Sequence, residues 1–346
     1  MDGSFEALRF PVAAPPLPGE TVPIAPGVLW LRMPLPFALD HINLWLLPDG
    51  EGWTIVDAGY AMPETRALWE RIFAERLDGA AVGRVIVTHY HPDHIGLADW
   101  LCERWRVRLW TTEKEWLHAR VMSRESDDFA ASRREFARRA GLDAASSELF
   151  GEHGKGYRRG VPSVPSSFER LADEMTVAIG GREWRVIVGE GHAPELACLY
   201  CAEAGVLISG DQVLPRISPN VSVQAHEPDG DPLSRFLRSL ERLRAEVPAE
   251  TFVLPSHNLP FLGLHTRIDA LAAPHRARCA EIVAECRDPQ SAMALVPVLF
   301  QRQLDRHQMA FALGEALAHL HYLVGQGELV REAGRDGVDR FIRAGR

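Results

Sequence analysis

The sequence predicts an α+β chain: two β-sheets with helices packed outside them, followed by a small helical module. Three observations carry this. Apolar runs that read as strands come in two batches separated by helical segments. Several of those runs stop at a short polar loop that brings in a histidine or an aspartate. From residue 266 onward the spacing is helical for most of the chain's remaining length.

Residues 1–27 are proline-rich and aperiodic, so an irregular lead-in is expected. Strands are predicted over 28–33, 42–47 and 53–56, with 48–52 as a Pro/Asp/Gly hairpin turn. Leu68, Ile72 and Leu77 place a helix over 63–77, and 85–88 is a short buried strand. A helix is expected over 95–105. Residues 113–140 have helical periodicity with many charges, and 141–170 are Gly/Pro/Ser-rich without clear assignment. Together, 113–170 read as a helical cap insertion that would cover the site and set substrate choice. Strands return at 176–179, 184–188, 196–201, 206–209 and 251–254, with an amphipathic helix over 233–247. After 261 the chain is nearly all helical to about 325, and 328–342 could form a small β-wing. The expected division is a catalytic domain over 1–265 and a module over 266–346.

Composition narrows the function classes. The chain has 346 residues, 46% of them hydrophobic and 25% charged, which is enough for a sizeable core. A formal net charge of −9 argues against a surface built to hold nucleic acid or anionic lipid. No stretch approaches the roughly 18 consecutive apolar residues of a membrane helix. The opening residues Met1 to Glu6 lack the basic and apolar blocks of a signal peptide, so a cytoplasmic location is expected. Five scattered cysteines fit reduced thiols; Cys198 and Cys201, although spaced C-x-x-C, lie in an apolar run and read as buried thiols.

Chemistry concentrates at the strand ends. The 85–88 strand delivers His89, His91, Asp93 and His94, and the 184–188 strand leads to His192. The 206–209 strand leads through Gly210 to Asp211, and the 251–254 strand leads through Pro255 and Ser256 to His257. If these strands lie side by side, seven side chains converge at one sheet edge. Imidazole and carboxylate suit zinc, iron or manganese, and seven groups exceed one tetrahedral site. Two divalent ions sharing a carboxylate fit better; such a pair can hold a hydroxide and stabilise a developing oxyanion.

The run Thr88-His89-Tyr90-His91-Pro92-Asp93-His94-Ile95-Gly96 resembles the signature of the metallo-β-lactamase superfamily. Gly191-His192, Ser209-Gly210-Asp211 and Ser256-His257 match its later ligand positions, and Asp57-Ala58-Gly59 its early aspartate motif. The resemblance covers about residues 25–265 and implies an αββα sandwich. It also implies His89, His91 and His192 on one metal, Asp93, His94 and His257 on the other, and Asp211 bridging. Asp57 would orient the His loop by hydrogen bonds from outside the ligand set. Aspartate rather than cysteine at 211 is similar to glyoxalase II and the β-lactamase-like-protein-2 branch, whose members can carry a winged-helix tail.

The resemblance implies a hydrolase acting through a metal-bridging hydroxide, with Asp93 orienting it or taking a proton. An acyl-glutathione or acyl-CoA thioester is the first expected substrate. A lactone is an alternative on the same site, as is RNA or another phosphodiester. The near-balance of charges in the tail weighs against nucleic acid. A small-molecule substrate is the expected partner, with no membrane, and a homodimer stays open. Arg216 and Arg267 are candidates to meet an acidic substrate group; ordinary structural roles are at least as good a reading. His41 reads as structural, Tyr90 as packing away from the site, and His153, His307, His319 and His321 receive no role.

Overall fold

The computed structural model describes residues 8–77, 79–124, 127–152 and 156–345. The opening residues 1–6, on which the signal-peptide expectation rests, and His153 lie outside them. The chain divides into two compact units. The first contains the chain up to Arg124, Tyr157–Pro219 and Glu241–Ile268; the second contains 125–156, 220–240 and 269–346.

Unit one is a sandwich of two sheets. Strands β1 (Thr21–Ala25), β2 (Val28–Pro34), β3 (His41–Asp49), β4 (Gly52–Val56), β5 (Val82–Ile86), β6 (Leu109–Thr112) and β7 (Phe168–Leu171) form the first, in chain order. The first four are antiparallel neighbours, and β5, β6 and β7 add on in parallel. The second sheet has the order β12-β11-β10-β9-β8, from β8 (Thr176–Ile179), β9 (Arg182–Gly189), β10 (Leu196–Cys201), β11 (Val206–Gly210) and β12 (Phe252–Pro255). Facing side chains of both sheets fill the core. Trp30, Trp45, Val56 and Ile86 meet Trp184, Val186, Leu199, Ile208 and Leu254, all essentially fully buried. Every residue of β10, and residues 42–47 of β3, are buried. Both faces of these strands are covered, which is why they read as continuous apolar runs instead of alternating ones.

Helices α1 (Pro63–Glu75), α3 (Ala98–Trp105) and α4 (Glu113–Met122) pack on the first sheet, and the short α2 (Pro92–Ile95) packs on α3. Next come α5 (Asp127–Arg139), α6 (Ala144–Gly151), α7 (Tyr157–Gly160), α8 (Pro232–Glu246) and α9 (Leu264–Glu285). The chain ends with α10 (Ala292–Leu299), α11 (Arg306–Gly325) and the hairpin of β13 (Leu329–Ala333) with β14 (Asp339–Arg343). Among the described residues, no helix is long and apolar enough to cross a membrane.

Unit two draws together α5, α6, α10, α11 and the hairpin; Met293 N–H, for example, donates to Ala140 O at 2.9 Å. His275 Nδ1 and His319 Nε2 lie 3.1 Å apart, and His319 Nδ1 lies 2.8 Å from Glu315 O. Arg278 neutralises the Glu315 carboxylate by direct hydrogen bonding. Burial lowers the pKa of His275 to about 3 and of His319 to about 4, so both are neutral. With its carboxylate already paired, this cluster reads as a closed hydrogen-bond relay.

Three strands depart from the sequence reading. β1 sits in the supposed irregular lead-in, as a partly exposed edge strand carrying Pro23. β6 and β7 have only four residues each, too few to show a period. The stretch 113–170 is divided: α4 packs on β6 and β7, whereas α5 and α6 pack on each other in unit two. The break near 265 falls inside α9, which runs continuously past Ile268.

The topology brings ligand-bearing loops to one edge. β9 and β11 both run antiparallel to β10, and β12 is parallel to β11, so β9, β11 and β12 all end on the same side. The first sheet joins that edge by backbone hydrogen bonds: Ala197 N–H donates to Thr88 O at 2.9 Å, and Asn43 N–H to Ser256 O at 2.7 Å. Close approach behind α2 is made by Gly96. A Cβ there would lie 2.5–2.6 Å from the carbonyl oxygens of Gly160, Pro92 and Gly59. Gly96→Ala is therefore expected to destabilise the chain by about 1–3 kcal/mol in denaturant melts. Gly83→Ala, where a Cβ meets open space, should stay within about 0.5 kcal/mol of the parent. Equal midpoints for the two variants would contradict the close approach.

Candidate metal centre

Four strand-end loops meet here, and Asp57 sets the first of them. It follows β4 in the left-handed region (φ 65) and is fully buried. Its Oδ1 accepts the Thr88 N–H at 2.8 Å, and its Oδ2 accepts from His94 Nδ1 at 2.8 Å. Thr88 Oγ1 adds contacts of 3.0 Å to both carboxylate oxygens. A buried carboxylate needs such donors. In filling its own demand, Asp57 fixes the start of the His loop and turns His94 so that Nε2 faces the site. Pro92 opens α2, whose single turn presents Asp93 and His94 side by side.

The ligand candidates fall into two groups. His89, His91, His192 and Asp211 offer atoms within 4.8 Å of one another, and so do Asp93, His94 and His257. In the first, His89 Nε2 and His91 Nδ1 face each other at 2.9 Å, and His192 Nε2 lies 3.5 Å from Asp211 Oδ2. In the second, Asp93 Oδ2 lies 3.4 Å from His257 Nε2 and 3.7 Å from His94 Nε2. Asp211 Oδ1 is 3.5 Å from His94 Nε2 and 3.4 Å from His257 Nε2. The two oxygens of Asp211 thus face different groups, an arrangement that lets one carboxylate serve both. His257 donates Nδ1–H to His41 O at 2.9 Å, which leaves its Nε2 as the ligand atom.

The donor set fits cations. His94 Nε2 and Asp211 Oδ1 are buried without a hydrogen-bond partner among the described residues. Such atoms are costly unless something else satisfies them. Burial lowers His89 well below the usual histidine range and brings His91 to about 3, the neutral form a metal binds. Burial also opposes charge on His94 and His257, but the carboxylates outweigh it. Asp57, Asp93 and Asp211 raise His94 well above its usual value, and Asp211 and Asp93 raise His257 to about 10. For Asp211, burial favours the protonated form, yet His257 and His94 hold the carboxyl well below the ordinary range. In the absence of ions, protons on His94 and His257 balance the buried carboxylates.

The remaining expectations resolve individually. Arg267 is a correction: it is buried, with Nε donating to Leu214 O at 2.5 Å and an Nη to Ile217 O at 2.9 Å. It braces the segment after Asp211 instead of facing a substrate. Arg216 is exposed, its guanidinium 5.6 Å from the centre of the Phe10 ring. Tyr90 is buried and stacks near Tyr157, and both cysteines of the C-x-x-C pair are buried. His41 is structural: its Nδ1 pairs with Asp40, its Nε2 accepts the Asn258 N–H, and its carbonyl orients His257. The role of Asn43, which donates to Pro255 O and Asn258 O behind His257, had no signal in a strand that reads as apolar.

Known proteins can now be compared. The family described as "Metallo-beta-lactamase superfamily" matches residues 38–257, and "Metallo-beta-lactamase-like, C-terminal domain" matches residues 279–344. A solved beta-lactamase domain protein from Burkholderia ambifaria is 49% identical, with a TM-score of 0.90 over 99% of this chain and 100% of that one. The probable metallo-hydrolase YqjP of Bacillus subtilis is 25% identical over 86% of this chain and 92% of its own length. Atrochrysone carboxyl ACP thioesterase of Aspergillus fumigatus is 22% identical over 72% of this chain and 45% of its own length.

The raised pKa values of His94 and His257 give a signed prediction for metal uptake. The carboxylates favour the protonated form of both imidazoles in the metal-free protein, and each must lose a proton to ligate, so affinity should fall as pH falls. Calorimetric titration with zinc at pH 7, in buffers of different ionisation enthalpy, should report net proton release. A heat of binding that does not depend on the buffer would contradict the assignment.

Proposed function

This chain belongs to the metallo-β-lactamase superfamily and is a metal-dependent hydrolase; from that premise we propose that it cleaves a thioester at a two-ion site. The observation that carries the two-ion reading is Asp211, whose two oxygens face two separate groups of ligands. His89, His91 and His192 would hold one ion, Asp93, His94 and His257 the other, with Asp211 shared between them. Zinc is the first choice; iron and manganese suit the same nitrogen and oxygen donors.

Bound divalent ions would supply Lewis acidity that polarises a carbonyl and acidifies water. The chain's own residues do the rest. Asp93 turns Oδ2 toward His94 and His257, and Oδ1 remains to orient water or take its proton. Its side chain keeps 18% of its surface exposed, so it is the ligand carboxylate best placed to exchange protons with solvent. Asp57 and the His41 carbonyl keep two imidazoles turned inward while this happens.

An acyl-glutathione or acyl-CoA type of thioester is supported by the aspartate at 211, the glyoxalase II-like pattern, and by similarity to a thioesterase. A winged-helix-like tail is supported by the order of α9, α10, α11 and the β13–β14 hairpin.

Metal-loaded protein should be screened against acyl-glutathione and acyl-CoA thioesters, lactones, a bis-aryl phosphodiester and single-stranded RNA. Thioesters are expected to turn over fastest, and Asp93→Ala should lose about 10²–10⁴-fold. Undiminished activity in that variant would sink the site assignment. RNA or phosphodiester cleavage as the main activity would overturn the substrate class.

A further inference from the structure

We propose that Glu115 is a positioning residue that aligns the His89, His91 and His192 ligands before any ion arrives. The inference rests on the two-ion reading of the site. Glu115 lies in the first turn of α4, directly after β6, and is fully buried. Its Oε2 accepts the backbone N–H of Tyr90 at 2.8 Å, and its Oε1 accepts that of Glu195 at 2.6 Å. Tyr90 stands between His89 and His91, and Glu195 follows three residues after His192. One carboxylate therefore ties together the two loops that carry the three imidazoles of the first group.

Neighbouring contacts tighten the same corner. Tyr157 of α7 donates its hydroxyl to Tyr90 O at 2.6 Å, so both the N–H and the carbonyl of that residue are held. Thr112 donates to Glu195 O at 2.8 Å, and Lys114 pairs with the Glu195 carboxylate at 2.9 Å. Glu115 makes no such bond to Asp93, His94 or His257; those depend on Asp57 and the His41 carbonyl. Asp57 serves both groups, directly at His94 and through Thr88, whose Oγ1 lies 3.1 Å from His89 Nδ1; Glu115 would be the support particular to the first group. Glutamine cannot substitute for Glu115, because its amide nitrogen would point an N–H at one of the two donors.

Zinc competition titrations read each group separately if the other is disabled: a His257→Ala background for the first, a His192→Ala background for the second. Glu115→Gln should weaken zinc binding by about 10–100-fold in the first background and leave the second at its own level. Arg71→Ala, which removes an exposed i,i+4 ion pair with Glu75 on α1, should leave both unchanged. Unchanged affinity at the first group, or equal loss at both, would overturn the proposal. A second measurement needs no variant and no metal: amide exchange of the wild-type, metal-free chain. The Tyr90 and Glu195 amides should exchange far more slowly than exposed loop amides; fast exchange at both would also overturn it. Failure of the two-ion reading shows separately, as a wild-type chain that takes up fewer than two zinc ions.

Discussion

Asp211 places a carboxylate at the buried edge of a sandwich, with the imidazoles of His94 and His257 3.5 and 3.4 Å from its Oδ1, and the surrounding structure is arranged around that buried charge. Asp93 adds a second carboxylate and Asp57 a third. Taking ionised groups out of water costs several kcal/mol each unless they are paired. Here the pairing comes from imidazoles at four strand ends, two of which hold protons in the metal-free protein. Divalent cations would do the same work more completely and displace those protons. The site's electrostatics and its capacity for hydrolysis therefore have one origin.

Holding like-charged groups together requires a rigid frame. The two sheets supply it, since their backbones are hydrogen-bonded across the ligand edge at Ala197–Thr88 and Asn43–Ser256. Side chains outside the ligand groups then set each ring. Asp57 turns His94, the His41 carbonyl turns His257, and Glu115 joins the loops of His89, His91 and His192. Backbone strain is accepted where it serves this purpose, with Asp57 and Asn258 both in the left-handed region beside the ligands.

The candidate ligands were legible in the sequence because they stand in short polar loops that follow apolar runs; Asp93 and His94 lie further on, in the single turn of α2. The covering elements were less so. β6 and β7 are short parallel strands recognised by their neighbours, not by their own pattern. Glu115 was illegible for a different reason. Its partners are 25 and 80 residues away, so nothing local distinguishes it from Glu113, the other acidic residue of α4. Arg267 follows the His257 loop, and its position there left a substrate contact and a structural role equally open; it donates to backbone carbonyls some fifty residues earlier, which the local sequence does not show. The segment 113–170 read as one insertion from its position between the His loop and the returning strands; within it, α4 falls in one unit and α5 with α6 in the other.

The central claim is that Asp211 is shared by two ions. Anomalous scattering from crystals of the zinc-loaded protein tests it most directly. Two peaks about 3.5–4 Å apart are expected, one beside His89, His91 and His192, the other beside Asp93, His94 and His257, with the Asp211 carboxylate between them. A single peak, or a second one away from Asp211, would contradict it.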